Sequence, residues 1–150
     1  MQLTEHFSLE ELTASDTAVR LGIDNNPPDP VLENLHILAQ GLESVRRVLK
    51  NPIHINSGYR CKSLNQAVRG SKTSEHMTGL AADIICPRFG TPLEVCRAIA
   101  AAGIPFNQVI HEGQWCHVSF PSPGLAGNNE LLTAHFGPTG TTYSDGLITA

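Results

Sequence analysis

The sequence has no long hydrophobic run. None of its 150 residues lies in a stretch approaching the ~20 apolar residues that a membrane-spanning helix needs, so we expect no membrane insertion. The first residues, Met-Gln-Leu-Thr-Glu-His-Phe, lack the basic region and following apolar segment of a secretory leader. The sequence therefore predicts synthesis in the cytoplasm without a signal peptide.

An excess of positive charge is also missing. The net charge of −4 and the isoelectric point near 5.9 argue against a protein that binds nucleic acid through phosphate contacts. Hydrophobic residues make up 41% and charged residues 16%, a more apolar and less charged composition than that of a disordered chain. The length suits one domain, and we find neither an internal repeat nor a linker that would divide it. We expect a single domain over residues 1–150, as a monomer.

Closely spaced cysteine pairs are absent as well. The four cysteines stand at positions 61, 86, 96 and 116, and the lack of a C-x-x-C pair argues against a cysteine-rich zinc knuckle. An even number would permit two disulfides, but a chain of this length does not need them. We expect free, mostly buried thiols in a chain made in a reducing cytosol.

The elements that the patterns do predict are helices early and in the middle of the chain. Ser8 and Glu11 match a capping box, which predicts a helix running to about Gly22. Asp29-Pro30 predicts the start of a second helix, with Asp29 as its cap. Behind it an apolar stripe recurs at helical spacing and predicts a buried face: Val31, Leu35, Leu38, Leu42, Val45 and Leu49.

The rest of the chain alternates short strands with helices. We predict strands at 53–57, 80–86, 108–111 and 115–120, short helices at 64–68 and from Thr91 to near Gly103, and one weak strand at 131–136 in a tail rich in Pro, Gly, Ser and Thr. A tight turn joins the strands at 108–111 and 115–120 in a hairpin. The fold class is α+β, a small, mainly antiparallel sheet with helices packed around it.

Seven histidines are many for this length, so a metal or acid–base site is expected. The informative stretch is residues 74–83. If residues 79–83 are extended, positions 79, 81 and 83 share one face, which carries glycine, alanine and then the Asp83 carboxylate. The two small residues leave room above the strand, and His76 can reach the same space. An imidazole with a carboxylate suits zinc or a similar cation.

A third ligand is available on the second strand of the hairpin. There His117 shares a face with Trp115 and Ser119. Two histidines and one carboxylate leave the fourth position of zinc open for water, the pattern of a catalytic rather than a structural site.

The combined motif resembles a known family. S-x-H-x-x-G-x-A-x-D over residues 74–83, followed by W-x-H at 115–117, is similar to the zinc D-Ala-D-Ala carboxypeptidases and related peptidoglycan endopeptidases. These share a fold with lysostaphin-type enzymes and the amino-terminal domain of Hedgehog proteins. Ser57 to Cys61 and Asn65 also match, and the resemblance spans about residues 6–120. It implies one zinc ion per chain, held by His76, Asp83 and His117.

The resemblance also implies roles for residues around the metal. Arg60 matches the arginine that holds a substrate carbonyl or carboxylate and the oxyanion that forms. Beside it we predict that Ser74, as a further donor, and Trp115, in the pocket wall, also bind the substrate. Many relatives place a glutamate three residues before the last histidine as general base, but Gln114 stands there and an amide cannot accept a proton. We therefore predict Glu112 as the base, with His111 in reserve.

The predicted function is that of a zinc metallopeptidase that hydrolyses amide bonds of peptidoglycan stem peptides. Glu112 takes a proton from the attacking water and passes it to the leaving amine. The alternative, favoured by Gln114, is a zinc-holding module that binds wall peptides without cutting them; a third is a metal-free structural protein, such as a phage particle component. A wall hydrolase without an export signal fits a phage endolysin released through a holin-made pore. Which bond is cut stays open between carboxypeptidase and endopeptidase types.

Overall fold

A computed structural model describes residues 1–149 of the protein. A single β-sheet runs through the centre of this structure. Five α-helices and a 3-10 turn surround it. In chain order the elements are α1 (Leu9–Thr13), α2 (Asp16–Leu21), α3 (Asp29–Leu49), β1 (His54–Ser57), α4 (Lys62–Ala67), the 3-10 turn (Glu75–Thr78), β2 (Ala81–Ile85), α5 (Pro92–Ala101), β3 (Gln108–His111), β4 (Cys116–Ser119), β5 (Glu130–Gly137) and β6 (Gly140–Asp145).

The six strands lie in the order β1-β2-β4-β3-β5-β6. Every neighbouring pair is antiparallel except β3 and β5, which are parallel. The sheet is thus mixed and mostly antiparallel, which confirms the predicted α+β class. No helix within residues 1–149 is long and apolar enough to cross a membrane.

The strand register aligns one row of residues across four strands. Asp83 of β2 pairs with His117 of β4, His117 with Ile110 of β3, and Ile110 with Leu132 of β5. Directly paired residues point to the same face of a sheet. The register therefore places Asp83 and His117 side by side on one face.

The other face is covered by the long helix α3. Its predicted apolar stripe is fully buried from Leu35 to Leu49, whereas Val31 is only partly buried at its amino end. The stripe packs with α5 and with Val109 and Val118 of the sheet in one hydrophobic core. This close-packed core holds the strands in place, so the positions of Asp83 and His117 on the opposite face are fixed.

Two helix predictions at the amino end were wrong in detail. In place of one helix from Ser8 to Gly22, the chain forms α1 and α2, because Ala14 is extended and the Ser15 side chain accepts the amide of Ala18 to begin a new helix. Asp29 does not cap α3. Pro28 holds the cap position without a side-chain bond, and Asp29 is the first helical residue, where its charge still favours the helix.

The tail beyond residue 120 contains more structure than predicted. The strand expected at 131–136 is present as β5, but β6 was missed. Its residues Thr141, Thr142 and Tyr143 favour strands, yet they are all exposed and show no alternation of apolar and polar side chains. All four cysteines, which lie within the described residues, are free as expected, and three of them are buried.

Candidate metal centre and cleft

Three side chains from distant parts of the sequence meet on the sheet face. His76 from the 3-10 turn, Asp83 from β2 and His117 from β4 are all buried, and each offers one ligand atom within 4.8 Å of the others. The Asp83 Oδ1 atom lies 3.2 Å from His76 Nε2 and 3.1 Å from His117 Nδ1. The structure therefore brings together the three residues that the sequence predicts as metal ligands.

His76 is positioned by its backbone and by its own ring. The Ser74 hydroxyl accepts the His76 amide at 3.1 Å and caps the 3-10 turn. The turn ends at Gly79, whose φ of +82° favours glycine. Gly79 therefore lies outside the strand, whereas the sequence analysis treated residues 79–83 as one extended segment. The strand begins at Ala81, and a side chain at position 79 would contact Val31 of α3 instead of facing the cleft.

The ring of His76 carries its proton on Nδ1. This atom lies 2.7 Å from the Gly58 carbonyl oxygen, which only accepts hydrogen bonds, so Nδ1–H is the donor. Burial lowers the pKa of His76 despite the nearby charge of Asp83, so the ring is neutral. Its Nε2 atom then presents a lone pair toward the Asp83 carboxylate, an arrangement that calls for a cation between the two atoms.

Asp83 and His117 each shift the pKa of the other toward its charged form. Burial opposes ionisation of Asp83, but the adjacent imidazoles of His76 and His117 hold the pKa of this carboxyl well below its usual range. Burial likewise opposes protonation of His117, but Asp83 first and then Glu112 and Glu75 raise its pKa. Asp83 is therefore an anion at neutral pH and can act as a charged ligand.

The donor set fits zinc. Two imidazole nitrogens and one carboxylate oxygen are the ligands of many catalytic zinc sites, and ligand atoms about 2 Å from a tetrahedral ion lie roughly 3.3 Å apart. The two separations from Asp83 Oδ1 are close to this value. The carbonyl of Gly58 supplies the outer hydrogen bond that orients a ligating histidine.

A cleft of about 650 Å³ opens above the three residues. Its lining includes all four of the other predicted site residues: Arg60, Ser74, Glu112 and Trp115. The cleft is within the size range of pockets that bind small ligands. The structure therefore gathers every residue of the predicted site around one space.

Arg60 is half-buried beside the acidic groups. Burial lowers the pKa of its guanidinium, while the charges of Asp83 and Glu112 counteract that shift. Its backbone amide donates to the His76 carbonyl at 3.0 Å, and its buried Nε atom has no hydrogen-bond partner within residues 1–149. A guanidinium that lines a cleft is suited to bind a carbonyl or carboxylate oxygen.

Glu112 lies next to His117 and is held by Trp115. Its Oε2 atom accepts the Trp115 indole N–H at 3.0 Å and lies 4.0 Å from His117 Nδ1. Burial, followed by the charge of Asp83, raises the pKa of Glu112 above the usual value for a carboxyl. A carboxylate of raised pKa is better able to take a proton in catalysis.

Two neighbouring residues do not reach the cleft. Gln114 is exposed on the turn between β3 and β4. His111 pairs with Cys116 rather than His117 and so lies on the opposite face, where its Nδ1 atom lies 3.1 Å from the Ile148 carbonyl oxygen. Within the described residues, Glu112 is thus the nearer of the two base candidates to the triad.

Sequence reasoning missed one residue that fastens the site. Glu75 accepts a hydrogen bond from the Ser119 hydroxyl at 2.7 Å and from the Asn107 side-chain amide at 3.0 Å, and so ties the turn that carries His76 to β4, which carries His117, and to the residue before β3. Its only signal was its place inside the motif. The cleft residues of β5 and β6 gave no signal, because their approach depends on how the tail pairs with β3.

The family model described as Peptidase M15 matches residues 5–119, which include every residue of the triad and the predicted base. A search of curated proteins found no significant match to the chain.

Proposed function

This chain belongs to the peptidase M15 family, and from that premise we propose that it is a zinc-dependent peptidase that hydrolyses amide bonds in peptidoglycan stem peptides. The observation that supports zinc is the His76 lone pair directed at the Asp83 carboxylate in a buried site. The peptidoglycan substrate rests on the motif resemblance. We also propose that the protein acts on the cell wall as a phage endolysin that is released through a holin pore.

The residues of the cleft divide the reaction among them. A zinc ion held by His76, Asp83 and His117 would supply Lewis acidity that polarises the scissile carbonyl and activates water. Arg60 binds the substrate carbonyl and steadies the negative charge that develops on its oxygen. Ser74 lies on the same wall and offers a second donor.

Glu112 moves the proton. Trp115 donates to Oε2 and thereby fixes the carboxylate, which takes a proton from the attacking water. The same carboxyl group then gives that proton to the leaving amine. The raised pKa of Glu112 suits both steps, because the group must accept and release a proton in one turnover.

Glu112→Gln tests the mechanism. Purified muropeptides are digested by zinc-loaded protein and the fragments are weighed by mass spectrometry, which also identifies the bond that is cut. We expect the substitution to lower kcat by about 100- to 10,000-fold, the usual contribution of a general base, while one zinc per chain is retained. Glu33→Gln, at an exposed position on α3, is the matched control and should leave kcat unchanged.

The other possible results of this experiment each lead to a different conclusion. An unchanged rate in Glu112→Gln removes Glu112 from the mechanism. Muropeptides that bind to the zinc-loaded wild-type protein but stay intact would favour the non-catalytic binding module. A protein that takes up no metal would exclude both and return the chain to a structural role.

A further inference from the structure

Aromatic side chains gather at one end of the cleft. Trp115 lies just before β4, Phe136 lies near the end of β5 and Tyr143 lies on β6, and all three line the cleft. The sequence contains only one tryptophan and two tyrosines, so this is a concentration of rare residues. Trp115 already has a role through its bond to Glu112, whereas Phe136 and Tyr143 have none in the proposed reaction.

Phe136 and Tyr143 do not belong to the core. Their relative exposures are 62% and 51%, and large apolar groups exposed together beside a pocket mark a binding surface. The register pairs Ala134 with Tyr143 and Phe136 with Thr141, which keeps these side chains on the cleft face. We call Phe136 and Tyr143 the aromatic wall.

The aromatic wall is close to the catalytic end of the cleft. A Cβ atom added to Gly113, in the turn that follows Glu112, would lie 3.9 Å from the Phe136 ring. Burial raises the pKa of Tyr143, with Glu112 and Asp83 contributing further, so its hydroxyl stays protonated and can donate. Tyrosine thus offers an apolar ring and a polar tip to a ligand.

The remaining wall of the cleft has the opposite chemistry. It is formed by the segment that follows β1, at the other edge of the sheet, and it carries Arg60 and Arg69. A peptide that lies across the cleft would therefore meet Arg69 on one wall and aromatic rings on the other.

We propose that Phe136 and Tyr143 form a specificity-determining subsite that binds an apolar side chain of the peptide substrate, while a substrate carboxylate faces Arg69. This subsite rests on the proposed peptidase function. It lies at residues 130–145, beyond the segment 5–119 that the family model matches, so it is a feature of this chain's own tail.

Trp115 allows binding to be measured directly. It is the single tryptophan of the chain and lies in the cleft, so quenching of its fluorescence reports the binding of a synthetic alanine-containing stem peptide to the zinc-loaded protein. We expect Phe136→Ala and Tyr143→Ala each to weaken binding by up to about tenfold, equivalent to ~1.4 kcal/mol. The loss should be the same at low and high salt, because apolar contacts are not screened.

Matched variants separate recognition from folding. Thr142→Ala, on the other face of β6, and Phe89→Ala, an exposed aromatic outside the cleft lining, should bind as the wild type does. Phe136→Leu keeps an apolar side chain and should retain most of the affinity. Unaltered zinc content and thermal midpoints in the alanine variants would exclude a general structural effect.

The outcomes distinguish this subsite from the peptidase proposal. If the alanine variants bind the peptide as tightly as the wild type, the subsite is overturned, whether or not the wild type cuts the peptide. If their binding is weakened but the wild type never hydrolyses the peptide, the subsite stands and the peptidase proposal fails. A wild-type protein that does not bind the peptide at all overturns the subsite.

Discussion

One carboxylate oxygen of Asp83 serves two imidazole rings. Because Oδ1 lies within about 3 Å of both His76 Nε2 and His117 Nδ1, Asp83 fixes their separation as well as supplying negative charge. Replacing it leaves the two imidazole rings without the anion that faces them. The affinity for a dication should therefore depend more on this residue than on any exposed acid.

The substitution Asp83→Asn tests this expectation. We expect zinc content to fall from one ion per chain to well below that value, because an amide brings no charge and is a poor zinc ligand. Metal analysis after gel filtration is the measurement. Asp29→Asn, at an exposed position in the first turn of α3, should keep full zinc content. Full occupancy in Asp83→Asn would remove Asp83 from the ligand set.

Single residues also mark how far the sequence could predict the site. His76, Asp83 and His117 could be identified because their types and spacing are unusual together, and strand alternation placed Asp83 and His117 toward one face. Phe136 and Tyr143 could not, since an exposed aromatic residue in a weakly patterned tail is indistinguishable from a loop residue until the pairing of β3 with β5 is known.

At the scale of elements, the end of β1 links the amino-terminal helices to the site. Gly58 follows β1 and packs against α1, where an added Cβ atom would lie 2.3 Å from the Leu12 carbonyl oxygen. Its own carbonyl accepts the His76 ring N–H. The position of α1 against β1 is thus coupled to the orientation of one predicted ligand.

Gly58→Ala should disturb both the packing of α1 against β1 and the orientation of His76. We expect a loss of about 1–3 kcal/mol in the free energy of unfolding, because the added methyl overpacks against backbone. Zinc affinity should fall by about 10- to 100-fold, as when an outer hydrogen bond to a ligand is lost. Denaturant unfolding and metal competition measure the two effects. Gly137→Ala, whose Cβ would make only an ordinary 3.5 Å contact, is the control; equal effects in both variants would contradict the coupling.

Local chemistry explains which elements were predictable. α3 was predicted mainly from its apolar stripe and α5 from Thr91 as its first residue, and both are present near the predicted bounds. The break between α1 and α2 was missed because Ser15 can stand inside a helix or cap a new one, and the sequence does not decide between them. β6 was missed because its residues are almost all exposed, and a strand of this kind needs no alternating pattern.

At the scale of the whole molecule, the predicted metal joins segments that are far apart in sequence. The ligands come from the 3-10 turn, β2 and β4, on a sheet whose other face is the hydrophobic core. An ion that binds only the folded chain stabilises it by mass action. The stability of the protein should therefore depend on zinc concentration.

Removal of zinc should lower the thermal midpoint. At a free zinc concentration 100 times the dissociation constant, the stabilisation is about 2.7 kcal/mol, which corresponds to roughly 5–10 °C for a chain of this size. Thermal unfolding followed by circular dichroism, with and without a chelator, measures the shift. Asp83→Asn should show no such difference, and an equal shift in that variant would mean that zinc acts elsewhere.

The parallel pairing of β5 with β3 has a consequence for how this protein could diversify. The hairpin of β5 and β6 is one continuous stretch of sequence attached to the sheet through a single neighbour, while the triad lies on strands and a turn that precede it. Exchanging that stretch for another of equal length would alter which ligands fit and leave the three coordinating atoms where they are. The proposed subsite and the predicted metal ligands thus lie in separate segments of the chain.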